Sequence, residues 1–169
     1  MTVTKVTLGG VPIEAEKGAP AQSYTPLGDG VIRRRSRGRA VKFRHWDLLM
    51  SITVSGSGLI PPGLSGLDYD NPIELLCTKP LSISTDSLSV TVPTAIRPDR
   101  APWAFAYVDG NWRPCQVSLV GQLATFTPVS GAVRYQVCWM PRFMVLMNRP
   151  DEAMDGRHDW SFTAEEVGT

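Results

Sequence analysis

Residues 48–72 read LLMSITVSGSGLIPPGLSGLDYDNP, and within this stretch a strand-like pattern changes into a loop-like one. Up to Ser55, apolar residues alternate with serine and threonine, which is the period of a half-buried β-strand. Residues 55–72 then contain four glycines and three prolines. Because glycine permits positive φ angles and proline restricts φ, this composition predicts a loop of defined shape after the strand.

The loop at residues 55–72 also carries apolar side chains, which a flexible linker would lack. These side chains need burial, either on the core of the same chain or on a neighbouring subunit, and both alternatives stay open. The connector at residues 14–30 resembles the loop, because glycine and proline again accompany large side chains. We predict that both segments stay outside sheet ladders and make intersubunit contacts through Leu59, Ile60, Leu64, Leu67, Tyr69, Tyr24 and Leu27.

Alternating patterns recur along the rest of the chain. A strand at residues 38–46 is predicted to pair with the one at residues 48–55, and Trp103, Phe105 and Tyr107 share one face of a later strand. Strands and turns at intervals of about 8–12 residues predict an all-β sandwich or barrel-like domain with extended loops and arms. The predicted core residues are Val41, Phe43, Met50, Ile52, Val54, Val90, Phe105, Val137 and Trp139.

The predicted organisation separates an N-terminal arm from a β domain. Residues 1–37 are expected to form a strand and the extended connector. Residues 38–169 are expected to form the β domain, which includes the long loop at residues 55–72. A length of 169 residues suits one such domain with an arm.

Charge is segregated along a chain whose net charge is only +1. Arginines cluster before and within the strand at residues 38–46, whereas residues 151–166 are rich in aspartate and glutamate. We predict an exposed basic segment that contacts an acidic surface, such as residues 151–166 of a neighbouring copy. Nucleic acid is not expected as a partner, because the chain as a whole is nearly neutral. The arginines concerned are Arg33, Arg34, Arg35, Arg37 and Arg39.

The sequence carries no motif of a known catalytic or metal site. It lacks GxSxG, HExxH and a phosphate-binding glycine loop. Cys77, Cys115 and Cys138 have no CxxC spacing and lie in strand-like segments, where cysteine behaves as a small buried hydrophobe. We therefore predict a protein that is not an enzyme and has no cofactor, metal or catalytic residue. No apolar run reaches the length of a membrane span, so no membrane partner is expected.

Four short motifs resemble those of small virion proteins from the tail-tip or baseplate region of tailed bacteriophages. They are VTLGGVPI at residues 6–13, SYTPLGDG at 23–30, SGSGLIPPGLSGLDYDNPIELLC at 55–77 and HDWSFTAEEV at 158–167. The resemblance implies a structural role in a ring near the tail hub. The implied partners are other copies of the chain and neighbouring tail proteins, in a virion assembled from chains made in the host cytoplasm.

Two other functions are compatible with an all-β chain. The aromatic residues could form a stacking face, which would make the protein a carbohydrate- or host-receptor-binding β module. The arginine cluster could contact phosphates, which would make it a nucleic-acid-binding β-barrel.

Overall fold

The computed structural model describes residues 3–16, 18–28, 30–43 and 49–168. The chain is 58% strand and 2% helical, and its strands form several antiparallel sheets. The prediction of an all-β, sandwich-like fold is confirmed, and the described residues form no closed barrel. In chain order the strands are β1 (Val6–Leu8), β2 (Val11–Ile13), β3 (Ala21–Leu27), β4 (Val31–Arg34), β5 (Ala40–Phe43), β6 (Leu49–Gly58), β7 (Ile73–Leu76), β8 (Leu81–Thr85), β9 (Ser89–Thr91), β10 (Trp103–Val108), β11 (Asn111–Cys115), β12 (Val117–Val120), β13 (Leu123–Phe126), β14 (Ala132–Trp139), β15 (Arg142–Met147), β16 (Asp151–Met154) and β17 (His158–Glu166).

The chain divides into two compact units. The first unit comprises Met1–Thr7 and Leu75–Phe143, and the second comprises Leu8–Glu74 and Met144–Thr169. Strand β3 of the predicted arm pairs along β6 of the predicted β domain.

The first unit contains a sandwich of two antiparallel sheets. One sheet has the strand order β11-β10-β14-β8 and the other has the order β12-β13-β9. Both sheets contribute to a common apolar core, and the rings of Phe126 and Tyr135 stack within it at a centroid distance of 5.1 Å. The buried residues of this core are Val92, Ala104, Ala106, Val108, Ala124, Phe126, Tyr135, Val137 and Trp139.

Strand β10 turns the face opposite to the predicted one towards this core. Ala104, Ala106 and Val108 are buried, whereas Phe105 and its aromatic neighbours on the strand are only half-buried. The prediction that Phe105 is a core residue is therefore wrong. The core side needs small residues on β10, because Trp139 and other large side chains from neighbouring strands fill that space. Val90 is half-buried against the same core, and Val137 is buried as predicted.

The largest sheet has eight strands in the order β2-β1-β7-β15-β17-β6-β3, with β16 also paired to β17. Strand β6 lies between β17, with which it pairs from Ser51 to Gly58, and β3. Ile52 and Val54 on β6 are fully buried, as their alternation predicted. Met50, which belongs to the same predicted set, is half-buried.

The two segments predicted to stay outside sheet ladders both contribute to them. Strand β3 of the connector pairs with β6, and Pro26 is accommodated because β3 is the terminal strand of the sheet. Strand β6 continues into the glycine-rich loop as far as Gly58. Gly56 is required there, because a Cβ atom at this position would lie 2.7 Å from the ring of Trp160 on β17.

Strand β5 pairs with β4 instead of β6. The two strands form a separate two-stranded sheet, in which Val31 pairs with Phe43 and Arg34 pairs with Ala40. A tight turn with φ of 74° at Arg37 returns the chain onto β4. Phe43 is therefore 43% exposed and not in a core, and Val41 is half-buried. The predicted continuation of this strand to residue 46 lies outside the described residues.

Candidate interaction site

Residues 31–43 form a basic hairpin, made of β4, β5 and the turn between them. All side chains from residue 31 to residue 40 are exposed, so the prediction of an exposed arginine segment is confirmed. Arg33 and Arg34 end β4, and Arg35, Arg37 and Arg39 surround the turn. Arg34 Nη1 donates to the carbonyl of Gly38 at 3.0 Å, which ties the turn to the strand. The fold therefore concentrates five guanidinium groups at one end of a narrow element.

The basic hairpin also exposes apolar side chains. Val31, Ile32 and Phe43 are all classed among the large exposed hydrophobic residues of the chain, and Ile32 is 65% exposed. An isolated two-stranded hairpin is at best marginally stable in water. Apolar and cationic side chains on such an element are typical of a surface that a partner covers.

The loop after β6 is held largely by its own chain. Leu64 is fully buried, and the Tyr69 hydroxyl donates to the Leu64 carbonyl at 2.6 Å. Leu67 packs over Gly9, since a Cβ atom there would lie 2.8 Å from Leu67 Cδ2. Asp68 accepts hydrogen bonds from the Asn71 side chain and the Asp70 amide, and these bonds lower the pKa of Asp68.

The start of the loop differs from the rest. Leu59 is 75% exposed and Ile60 is 62% exposed. Leu64 is thus buried by its own chain and needs no neighbouring subunit to cover it. Burial on a neighbour stays a prediction for Leu59 and Ile60.

Tyr24 and Leu27 lie on β3, the last strand of the eight-stranded sheet. Both are half-buried. An edge strand presents backbone donors and acceptors to solvent, which suits it for pairing with another chain. Their predicted contact with another subunit stays a prediction.

An acidic groove lies in the second unit, where β3, β6, β16 and β17 run side by side. It has a volume of about 620 Å³, and Asp151, Glu152 and Asp159 are among the residues that line it. Trp160 also lines the groove, and this residue is 3% exposed. Its Nε1–H has no hydrogen-bond partner among the described residues. The remaining lining residues are small or hydroxylated: Ala15, Ala19, Pro20, Ala21, Ser55, Gly56, Ser57, Ala153 and Ser161.

An aromatic face covers the outer side of the four-stranded sheet in the first unit. Trp103, Phe105 and Tyr107 lie on it as half-buried residues, and Trp112 on the adjacent strand is 43% exposed. The Tyr107 and Trp112 rings lie 5.0 Å apart, and the Arg100 guanidinium lies 5.9 Å from the Trp103 ring centre. Of these residues, the sequence analysis predicted Phe105 to be a core residue. Ala104 and Ala106 alternate with the aromatic residues on β10, and these small residues were the sequence signal that the aromatic rings point outward.

The described residues show no group of three or more His, Cys, Asp or Glu side chains that could hold a metal ion. Cys77, Cys115 and Cys138 are free thiols. Burial raises the pKa of Cys115 and of Cys138, which disfavours the thiolate form that a nucleophile requires. In the described part of the chain there is also no helix long and apolar enough to cross a membrane.

Comparisons with protein-family models, with curated proteins and with solved structures find no match.

Proposed function

We propose that the protein is a non-enzymatic structural component of a bacteriophage virion, located in the tail tip or baseplate as one copy of a ring near the hub. The observation that carries this proposal is the basic hairpin, which exposes both arginines and apolar side chains. A two-stranded element of this kind gains stability when a partner covers it. The short motifs that resemble those of tail-tip and baseplate proteins are the reason for placing this component in a phage tail.

The exposed start of the long loop supports the same role. Leu59 and Ile60 project from the chain next to Pro61 and Pro62. Prolines limit the conformations of the free loop, so less entropy is lost when the loop docks. Each Å² of apolar surface buried on a neighbour contributes about 25 cal/mol. Leu59 and Ile60 would therefore anchor one copy on the next copy or on another tail protein.

The double variant Leu59→Ser, Ile60→Ser is expected to fold normally but to enter phage particles poorly. Both side chains are exposed in the single chain, so their loss should change its melting temperature little. Point substitutions are preferable to a deletion of residues 59–67, which would also remove the buried Leu64. The measurement is the amount of the chain in purified particles when the variant replaces the wild type.

The matched control is Val120→Ser, Val133→Ser, which also replaces two exposed apolar residues. This control should enter particles at the wild-type level. Wild-type incorporation of the Leu59, Ile60 variant would contradict the role of the loop in assembly.

A carbohydrate-binding β module is a second candidate, and the outward aromatic face specifically favours it. Tryptophan and tyrosine combine a large apolar ring with a polar atom, which suits them to sugars that have both C–H and hydroxyl surfaces. Gln136 and Arg134 are the cross-strand partners of Phe105 and Tyr107, so hydrogen-bonding groups lie beside the rings.

If the aromatic face binds glycans, Trp112→Ala should raise the Kd for a bacterial surface polysaccharide about tenfold, because a stacking ring is lost. Binding is measured by calorimetry against a panel of purified polysaccharides. Leu123→Ala is the control, since Leu123 is similarly exposed but lies on the other sheet. Equal binding by both variants, or no binding by the wild type, would eliminate this second candidate.

A further inference from the structure

We infer that the basic hairpin of one copy docks in the acidic groove of a second copy, so that the copies associate head to tail. This inference rests on the proposed function and names the partner of the hairpin. The hairpin comprises residues 31–43, and the groove lies between the start of β3, β6, β16 and β17.

The two surfaces carry opposite charges, and several of their charged side chains form no ion pair with a described residue. Within the described part of the chain, Arg33, Arg35, Arg37 and Arg39 form no ion pair. The same holds for the groove carboxylates Asp151, Glu152 and Asp159 among the described residues. Opposed patches of this kind orient two partners and raise the rate at which they meet.

The groove has the size and lining to receive the turn of the hairpin. Its volume of about 620 Å³ lies within the range of about 300–1,000 Å³ that ligand pockets show, so it accepts a few side chains and not the whole hairpin. Alanines form much of its wall, which leaves room for an incoming backbone.

The inferred association is heterologous, since one copy contributes the hairpin and the next copy contributes the groove. No described residue of the hairpin lines the groove of its own chain. A heterologous contact repeats from copy to copy and produces a ring when the rotation closes. The proposed tail ring is such an arrangement.

Charge reversal with complementary mixing tests the inference on the full chain. One variant reverses the hairpin (Arg37→Glu, Arg39→Glu), and another reverses the groove (Asp151→Lys, Asp159→Lys). All four side chains are exposed, so neither variant should lose its fold. Self-association is measured by sedimentation at about 50 mM and about 500 mM NaCl, because salt screens such contacts.

The wild type should associate at low salt, and each variant alone should show a Kd at least about tenfold higher. An equimolar mixture of the two variants should associate again, because each then meets a surface of opposite charge. The control Arg113→Glu, Arg134→Glu changes the net charge as much as the hairpin variant does, and it should behave like the wild type.

Three outcomes would overturn the inference. They are a wild type that stays monomeric at about 100 µM and low salt, unchanged association of the reversed variants, and a mixture that does not recover. Hairpin-dependent binding to a fluorescent oligonucleotide, without recovery on mixing, would assign the hairpin to nucleic acid instead. If the chain is nevertheless found in purified particles, only this docking mode fails. If it is absent from particles but mixing restores association, the docking stands and the proposed function fails.

Discussion

Replacing Arg97 with alanine is expected to lower the free energy of unfolding by about 3–5 kcal/mol. Arg97 is 2% exposed, and its guanidinium donates to the carbonyls of Cys77 at 2.9 Å and Lys5 at 3.0 Å. Both oxygens of Asp99 also accept from it, at 2.6 and 2.8 Å. One side chain thus joins three separate segments of the first unit.

The expected cost arises mainly at the carbonyls. Leaving each carbonyl without the guanidinium donor costs about 1–3 kcal/mol of folding free energy. The missing side chain also leaves a cavity, which lowers the stability further. Asp99 contributes less, because its side chain is 53% exposed and water can replace the guanidinium. Arg113→Ala is the control, since Arg113 is exposed and should change the free energy by less than about 0.5 kcal/mol. A similar small change for Arg97→Ala in denaturant unfolding would show that Arg97 does not stabilise the unit.

The same ion pair predicts a pH dependence. The hydrogen bond with Arg97 lowers the pKa of Asp99 below its ordinary value of 3.8. A carboxyl with a lowered folded-state pKa stabilises the protein above its unfolded-state pKa, and this contribution is lost as the pH falls through the folded-state value. The wild type should therefore lose stability on acidification below about pH 4 more steeply than Asp99→Asn.

Trp139→Ala is expected to have an effect of similar size, a loss of about 3–5 kcal/mol. Trp139 is 2% exposed within the sandwich core, and its Nε1–H donates to Thr94 Oγ1 at 2.8 Å. The substitution removes the largest buried side chain of this core and leaves the Thr94 hydroxyl without its donor. Chemical unfolding followed by circular dichroism measures the change.

Phe105→Ala is the informative comparison. Phe105 was predicted to be a core residue from its alternation, but it lies half-buried on the aromatic face. Its truncation should cost only about 1 kcal/mol. A loss for the Phe105 variant as large as that for the Trp139 variant would mean that the outer face of β10 is also core, contrary to the structure.

The sequence alone was sufficient to predict the all-β class and several individual strands. Successive side chains of a strand point to opposite faces, so period-2 alternation near Ile52 and Val54 reports a strand wherever one face is buried. The exposed arginine segment was also predictable, because unpaired cations are rarely buried. The fully buried Arg97 is the exception that its local sequence did not reveal, because its carbonyl partners at Lys5 and Cys77 lie 92 and 20 residues away.

The tertiary structure decided which face of each strand is inside and which strands are neighbours. On β10 both faces are apolar, and the choice of Ala104 over Phe105 depends on the bulk of Trp139 from another strand. Strand β6 pairs with β17, which is distant from it in the sequence. The hydroxyls of Thr53 and Thr163 lie 3.1 Å apart, although these residues are separated by 110 positions. The acidic groove depends on the same pairing. Local alternation cannot specify such contacts, because they follow from how the volumes and hydrogen-bonding groups of distant segments fit together.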